Sequence, residues 1–149
     1  MTALIAGYGY VGRALGELLL ADGEEVWVVR RGGEAGARSG VRELRVDLLD
    51  RAGLGRALKP LVGLGDVDIF YLASPADPSD DAYRATYIDG LRGVCEALAK
   101  ASRRVLLTTS TAVYGQDDGS WVDEASPTES STSAGKRLLE GERLAPELG

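Results

Sequence analysis

The chain is predicted to be a single α/β domain in which helices cover both faces of a parallel sheet. Short apolar runs alternate with longer segments of helical periodicity in the order β-α-β-loop-β-α-β-α-β-α, which is typical of parallel strands joined by crossover helices. The first apolar run also leads directly into the glycine-rich turn GYGYVG at residues 7–12. Together these observations predict a doubly wound sheet over residues 1–149 with the strand order 3-2-1-4-5.

Five strands are predicted from short runs that are rich in β-branched and other apolar residues. The fourth run, VDIFYLA, is almost continuously apolar, as a strand that is covered on both faces must be. The predicted strands span residues 3–6, 25–29, 43–48, 67–73 and 104–110.

Helices are predicted where apolar residues recur at spacings of three and four. We expect Gly23 to stop the first helix, Pro60 to end the second and Pro146 to end the last. The glycine-rich segment 30–40 has almost no large apolar residue and is predicted to be a loop. The predicted helices span residues 11–23, 51–61, 80–101 and 131–145.

The composition argues against several classes of function. A formal net charge of −6 and a pI near 4.7 argue against a nucleic-acid partner. The chain has no histidine and one cysteine, Cys95, so a Ser-His-Asp triad, a zinc site and an intrachain disulfide are excluded. No apolar run approaches the roughly 20 residues of a membrane span, and no basic leader precedes the first strand. We therefore expect a cytoplasmic protein with no metal, membrane or nucleic acid as partner.

The glycine spacing G-x-G-x-x-G falls between a strand and a helix, which is where it can hold a dinucleotide. Gly7 allows the tight turn, Gly9 lets the backbone approach a pyrophosphate, and Gly12 lets the helix pack closely on the strand. The helix start, with Tyr10 and Val11, turns unpaired N–H groups and a positive dipole end toward the phosphates. The turn is predicted to bind a dinucleotide; the alternative is a tight turn that binds nothing.

Arg30 and Arg31 follow the second strand, where an NAD-binding protein usually has an acidic residue that holds the ribose hydroxyls. A carboxylate there would repel a 2′-phosphate, whereas a guanidinium binds it with two hydrogen bonds. The pair therefore favours NADP over NAD. The alternative is that both arginines are solvated loop residues.

Two further stretches, RVDLLD at 45–50 and LTTSTAVYG at 107–115, join the glycine turn in a resemblance to a known family. The chain resembles the extended short-chain dehydrogenase/reductase superfamily and, more narrowly, NAD-dependent epimerase/dehydratase-like proteins. The resemblance covers nearly all of the chain but only about the first half of a typical member, without the final strands and the C-terminal substrate lobe. It implies a Rossmann-type fold, a small polar or sugar-linked substrate, and a homodimer through the helices at 80–101 and 131–145.

The resemblance also implies roles for single residues. Asp47 and Leu48 match the pair that borders the adenine, and Ala73 matches the segment along the ribose and nicotinamide. Ser110 stands where the family has its catalytic serine or threonine. Lys136 matches the lysine of Y-x-x-x-K, which holds the nicotinamide ribose and lowers the pKa of the tyrosine.

Thr132 stands four residues before Lys136, where the family has its catalytic tyrosine. On a helix the two positions share a face, but an aliphatic hydroxyl is too weak an acid to replace a phenol. Tyr114 is a weaker candidate for the acid, and Cys95 is expected in the core. Two classes of function remain open: an oxidoreductase or epimerase, and a dinucleotide-binding sensor or scaffold without turnover.

Overall fold

The computed structural model describes residues 1–32, 40–98 and 101–149. Most of the loop predicted over 30–40, and residues 99–100 of the long predicted helix, therefore lie outside the described residues.

Five parallel strands form one sheet in the predicted order, β3-β2-β1-β4-β5. The central strand β1 pairs with β2 on one side and with β4 on the other, so that Leu4 lies opposite both Trp27 and Ile69. Both outer strands, β3 and β5, are edges of this sheet. The strands are β1 (Thr2–Ala6), β2 (Glu25–Arg30), β3 (Arg42–Arg45), β4 (Val67–Tyr71) and β5 (Ser102–Leu107).

The last three strands end earlier than the sequence predicts, and after β3 and β5 polar residues begin turns. After β3, Asp50 caps the next helix by accepting a hydrogen bond from the backbone nitrogen of Gly53 at 2.9 Å. After β5, Ser110 caps a short 3-10 turn, Thr111–Val113, in the same way. The polar residues after β3 and β5 therefore belong to loops at the carboxyl edge of the sheet.

Helices occupy the predicted places, with corrected ends. The second predicted helix is two helices, because the chain breaks at Leu58 and Pro60 lies in the first turn of the next one, where its missing N–H costs little. The helices are α1 (Tyr10–Ala21), α2 (Arg51–Ala57), α3 (Lys59–Val62), α4 (Asp80–Arg84), α5 (Leu91–Leu98) and α6 (Ser133–Leu148), with a π-helical turn, Ala85–Gly90, between α4 and α5.

The prediction that Pro146 ends the last helix is wrong, since α6 continues to Leu148 with the proline inside it. Proline has no N–H to donate to the turn before it. The buried side chains of Leu144 and Ala145 keep this part of the helix against the core, so packing outweighs the loss of one hydrogen bond.

Helices cover both faces of the sheet, as predicted. On one face, α2, α3, α5 and α6 pack over side chains of β1, β2 and β4 in the larger core cluster. On the other face, α1 packs over Ile5, Val26 and Val28, which with Tyr8 form a second cluster. This arrangement leaves the carboxyl ends of β1, β2 and β4 together at one edge of the sheet.

Candidate functional site

A cleft of about 540 Å³ opens at this edge of the sheet. We call it the main cleft. Its lining comes from the glycine turn, the end of β2 and the segments that follow β3 and β4. The first residues of the π-helical turn, Ala85 and Thr86, complete it. A cleft at the carboxyl ends of parallel strands, where the strand order reverses, is where such sheets bind ligands.

The three glycines of the turn have different surroundings. Gly7 has a φ of +101°, and a Cβ atom there would lie 2.5 Å from the backbone nitrogen of Ala73. A Cβ atom at Gly12 would lie 2.4 Å from the carbonyl oxygen of Gly7. Gly9 differs, because a Cβ atom there would meet none of the described atoms within 4 Å. Gly7 and Gly12 are therefore required by the fold, whereas the space beside Gly9 is open.

Gly9 is also the residue that precedes α1, and no side chain caps this helix end. The N–H groups of the first helical turn therefore keep their capacity to bind an anion, and the helix dipole favours one there. Arg13, in the same turn, lines the main cleft and adds a positive charge. This combination fits a phosphate group.

Of the other residues in the glycine turn, Tyr8 lines the main cleft and Tyr10 and Val11 do not. Tyr8 is buried and packs on Gly16 of α1, where a Cβ atom would come within 3.2 Å of its hydroxyl. Tyr10 is 93% exposed and Val11 is 59% exposed, and neither is among the residues that line the main cleft.

Arg30 and Arg31 both line the main cleft. Among the described residues, Arg30 forms an ion pair with a carboxylate and Arg31 does not. The Nε of Arg30 donates to Glu43 of β3 at 2.9 Å, and Arg45 donates to the same carboxylate at 2.6 Å. These two hydrogen bonds lower the pKa of the Glu43 carboxyl. Arg31 is exposed and makes no ion pair within the described part of the chain.

Asp47, Leu48 and Ala73, for which the resemblance implies contacts with the dinucleotide, line the main cleft. Asp47 turns the chain after β3, because its Oδ1 accepts a hydrogen bond from the backbone nitrogen of Leu49 at 2.9 Å. Ala73 forms the opposite side, against Gly7. The main cleft thus collects cofactor-binding candidates from four separate segments of the chain.

Sequence reasoning missed several residues that line the main cleft. The most consequential are Arg13, Ser74 and Thr86. Arg13 could have been found, since it falls in the first turn after the glycine motif, where its charge faces any bound anion. Thr86 could not, because its place depends on the π-helical turn.

The candidate catalytic residues Ser110, Thr132 and Lys136 gather in a second region, where α6 begins, and do not line the main cleft. Here α6 packs on the 3-10 turn so closely that a Cβ atom at Gly135 would lie 2.2 Å from the carbonyl oxygen of Ala112. Ser110 and Lys136 are both exposed. The Ser110 hydroxyl accepts a hydrogen bond from the nitrogen of Ala112 at 3.1 Å and keeps its own proton to donate.

Thr132 is the N-cap of α6 rather than a residue within it, which corrects the predicted helix start at 131. Its backbone is extended (φ −81°, ψ 150°), and its Oγ1 accepts a hydrogen bond from the nitrogen of Gly135 at 3.0 Å. The buried Ser130 hydroxyl lies 3.0 Å from the same oxygen. The hydroxyl that stands in the tyrosine's place therefore has a structural partner on each side.

Thr132→Ala is expected to lower the free energy of unfolding by about 1 kcal/mol, the usual cost of losing a Ser/Thr cap. Thr132→Ser keeps the capping oxygen and should be close to wild type. Chemical denaturation of both variants, with the exposed Thr128→Ala as control, measures this. Equal stability of the Thr132→Ala and wild-type proteins would contradict the capping role.

Tyr114 and Cys95 are both engaged in structural contacts. The Tyr114 hydroxyl donates to the carbonyl oxygen of Asp123 at 3.0 Å and thereby holds the exposed segment that follows. Cys95 is buried in the larger core cluster, as predicted, and burial raises the pKa of its thiol to about 11. A thiol with that pKa is a poor nucleophile at neutral pH.

Within residues 1–32, 40–98 and 101–149, no helix has the length and apolarity needed to cross a membrane. The same residues contain no cluster of three or more acidic or cysteine side chains suited to a metal ion.

The sequence profile of the NAD dependent epimerase/dehydratase family matches residues 3–137. A candidate NAD-dependent epimerase/dehydratase from Methylobacillus flagellatus is 32% identical, with a TM-score of 0.73, over 96% of this chain and 49% of that one. A candidate epimerase from Burkholderia cenocepacia J2315 is 27% identical, with a TM-score of 0.81, over 99% and 50%. MoeE5, solved in complex with UDP-glucose and NAD, is 26% identical, with a TM-score of 0.75, over 99% and 49%.

The chain thus spans about half the length of these three structures. No curated protein matches it by sequence.

Proposed function

Since the chain belongs to the NAD dependent epimerase/dehydratase family, as its motifs predict, we propose that it binds a nicotinamide dinucleotide in the main cleft. The observation that carries this proposal is the open space beside Gly9 at the uncapped N-terminus of α1. The pyrophosphate would take the N–H groups of that helix end and the charge of Arg13. Asp47 and Leu48 would border the adenosine, and Ala73 the nicotinamide side.

We further propose that the bound dinucleotide serves an epimerase or oxidoreductase reaction on a nucleotide-linked sugar. In such a reaction the nicotinamide ring supplies a hydride acceptor and donor. MoeE5, which shares 26% identity, was solved with UDP-glucose and NAD, and this supports the substrate class. Neither the family match nor the similar structures favour the alternative of a sensor or scaffold without turnover.

In the second region, Ser110 and Lys136 can take part in substrate and cofactor binding, whereas Thr132 cannot act as the proton donor. Ser110 is exposed with its hydroxyl proton available, so it can donate to a carbonyl oxygen of the substrate. Lys136 carries an exposed ammonium, which can hold ribose hydroxyls. Thr132 cannot deliver a proton as the family tyrosine does, because its hydroxyl is an aliphatic alcohol already used to cap α6.

NADP is the dinucleotide that the charges at the end of β2 favour. Arg31 is an exposed guanidinium on the main cleft without an acidic partner among the described residues, and it can bind a 2′-phosphate through two hydrogen bonds. Arg30 is held by Glu43, so we assign recognition chiefly to Arg31.

Arg31→Glu is expected to weaken NADPH binding at least about tenfold, because it replaces a charge-assisted phosphate contact worth about 1.5–3 kcal/mol by a repulsive one. The same change should leave NADH binding near its wild-type value. Fluorescence titration with each nucleotide measures the two dissociation constants. Arg92→Glu on α5, outside the main cleft, controls for the change in net charge. An equal loss for both nucleotides would contradict the assignment of Arg31 to the 2′-phosphate.

A further inference from the structure

We propose that Tyr71 is a positioning residue for the main cleft, where its hydroxyl, seated against Gly90, holds the π-helical turn that forms one wall. This inference rests on the proposed function, because it concerns the same dinucleotide site. It assigns a role to a buried tyrosine beneath the main cleft rather than to a residue that lines it.

Tyr71 is the last residue of β4 and is completely buried. Its hydroxyl donates a hydrogen bond of 2.6 Å to the carbonyl oxygen of Thr86. Burial raises the pKa of the phenol far above its ordinary value, so the hydroxyl stays protonated and remains a donor at every working pH. This hydrogen bond joins the end of β4 to the helical segment that packs on the sheet.

The acceptor lies in the π-helical turn Ala85–Gly90. Such turns hold one residue more than an α-helical turn; they occur mostly as single turns, and many of them lie at functional sites. A side chain that inserts its polar atom into a helix is one recognised cause of such a departure. Ala85 and Thr86 both line the main cleft, so the turn that Tyr71 holds is part of the site.

Gly90 completes the arrangement at the other end of the turn. A Cβ atom at this position would lie 2.5 Å from the Tyr71 hydroxyl oxygen, 3.2 Å from the carbonyl oxygen of Ala85 and 3.4 Å from the Cβ of Leu48. The phenol oxygen therefore occupies the space that any other residue at position 90 would need. Leu48 is itself a lining residue. A shift at Gly90 would therefore move the lining of the main cleft both at Leu48 and in the π-helical turn.

The contacts continue from Tyr71 along the sheet. Its own carbonyl oxygen accepts hydrogen bonds from the nitrogen and the Oγ1 of Thr108, at 3.1 and 3.3 Å, just after β5. Directly after Tyr71 come Leu72 and then Ala73, which lies against Gly7. Tyr71 thus stands where the glycine turn, the helical wall and the end of β5 are joined.

The test uses three variants, Tyr71→Phe, Gly90→Ala and the combination of both, with fluorescence titration of NADH and NADPH at a temperature where each protein is folded. Tyr71→Phe should weaken binding about threefold to tenfold, since it removes one buried hydrogen bond that holds the wall. Gly90→Ala should weaken it further, because the new methyl group and the hydroxyl cannot share the space. The double variant should bind nearly as well as Tyr71→Phe alone and better than Gly90→Ala, because removal of the hydroxyl removes the closest of the three contacts.

Tyr87→Phe is the matched control, since Tyr87 is also buried, lies in the same turn and packs its ring against Tyr83 at 5.8 Å. It should bind both nucleotides as wild type does. The inference is overturned if Tyr71→Phe binds as tightly as wild type, or if the double variant is as weak as Gly90→Ala. A wild-type protein that binds neither nucleotide would instead overturn the proposed function, and this inference with it.

Discussion

Gly9→Asp is expected to lower dinucleotide affinity at least about a hundredfold while leaving the fold intact. A carboxylate about 4 Å from a phosphate charge costs about 4 kcal/mol at the effective dielectric of a protein surface, and about 3 kcal/mol already corresponds to a hundredfold change. The fold should tolerate the change, because a side chain at position 9 meets none of the described atoms within 4 Å. Aspartate is also a favourable N-cap for α1.

The matched control is Gly9→Asn, which caps a helix as well as aspartate and has nearly the same shape without the charge. It should weaken binding much less than the aspartate variant. Thermal unfolding of both proteins checks that the fold is unchanged, and titration with NADH and NADPH gives the affinities. Wild-type affinity in the aspartate variant would mean that the pyrophosphate does not lie at the start of α1.

Gly135→Ala is expected to destabilise the protein by about 2 kcal/mol, within the usual cost of forcing a methyl group into a packed site. The new Cβ atom would lie 2.2 Å from the carbonyl oxygen of Ala112 and 2.0 Å from the Oγ of Ser130. Because one of these atoms is backbone, a side-chain rotation cannot relieve the contact, and α6 must move away from the 3-10 turn. Lys136 would then lose its place beside the segment that carries Ser110.

Gly55→Ala is the control for this prediction. Gly55 lies within α2, and a Cβ atom there would meet no described atom within 4 Å, so the change should be neutral or stabilising by up to about 1 kcal/mol. Urea denaturation of the two variants gives both values. We expect a clear loss of stability for Gly135→Ala and none for Gly55→Ala. A Gly135→Ala protein as stable as wild type would contradict the close contact between α6 and the 3-10 turn.

The fold could be predicted because local signals and the overall architecture agree. The buried strands β1, β2 and β4 are short runs made up largely of apolar residues, whereas the edge strand β3 is mostly charged. The glycine turn predicts both the first crossover and the position of the main cleft, since Gly7 and Gly12 allow close approaches that a side chain would block. The strand order β3-β2-β1-β4-β5, predicted from the alternation of strands and helices, is confirmed.

The parts that sequence reasoning missed depend on contacts between distant residues. The pairing of Arg30 with Glu43 requires β2 and β3 to be aligned side by side. The continuation of α6 through Pro146 depends on core packing that a local rule does not contain. The π-helical turn accepts a hydrogen bond from Tyr71, which lies 15 residues before Thr86 in the chain. Spacing along the sequence carries none of this information.

Thr132 shows how a family motif and a local signal can compete for one position. By the motif it stands in the place of the catalytic tyrosine, within a predicted helix. By its own chemistry a threonine just before a helical segment is a favourable N-cap, and this is the role it has, since its Oγ1 accepts a hydrogen bond from the nitrogen of the buried Gly135. Attention to capping would have placed the helix start at Ser133 from the sequence.

The measurement that tests the central claim most directly is a titration of the wild-type protein with NADPH and with NADH, followed by nucleotide fluorescence. The site described here predicts saturable binding of one nucleotide per chain, tighter for NADPH, with dissociation constants in the micromolar to millimolar range usual for such ligands. A fluorescence signal that stays linear for both nucleotides up to about 1 mM would contradict the claim that the main cleft is a dinucleotide site.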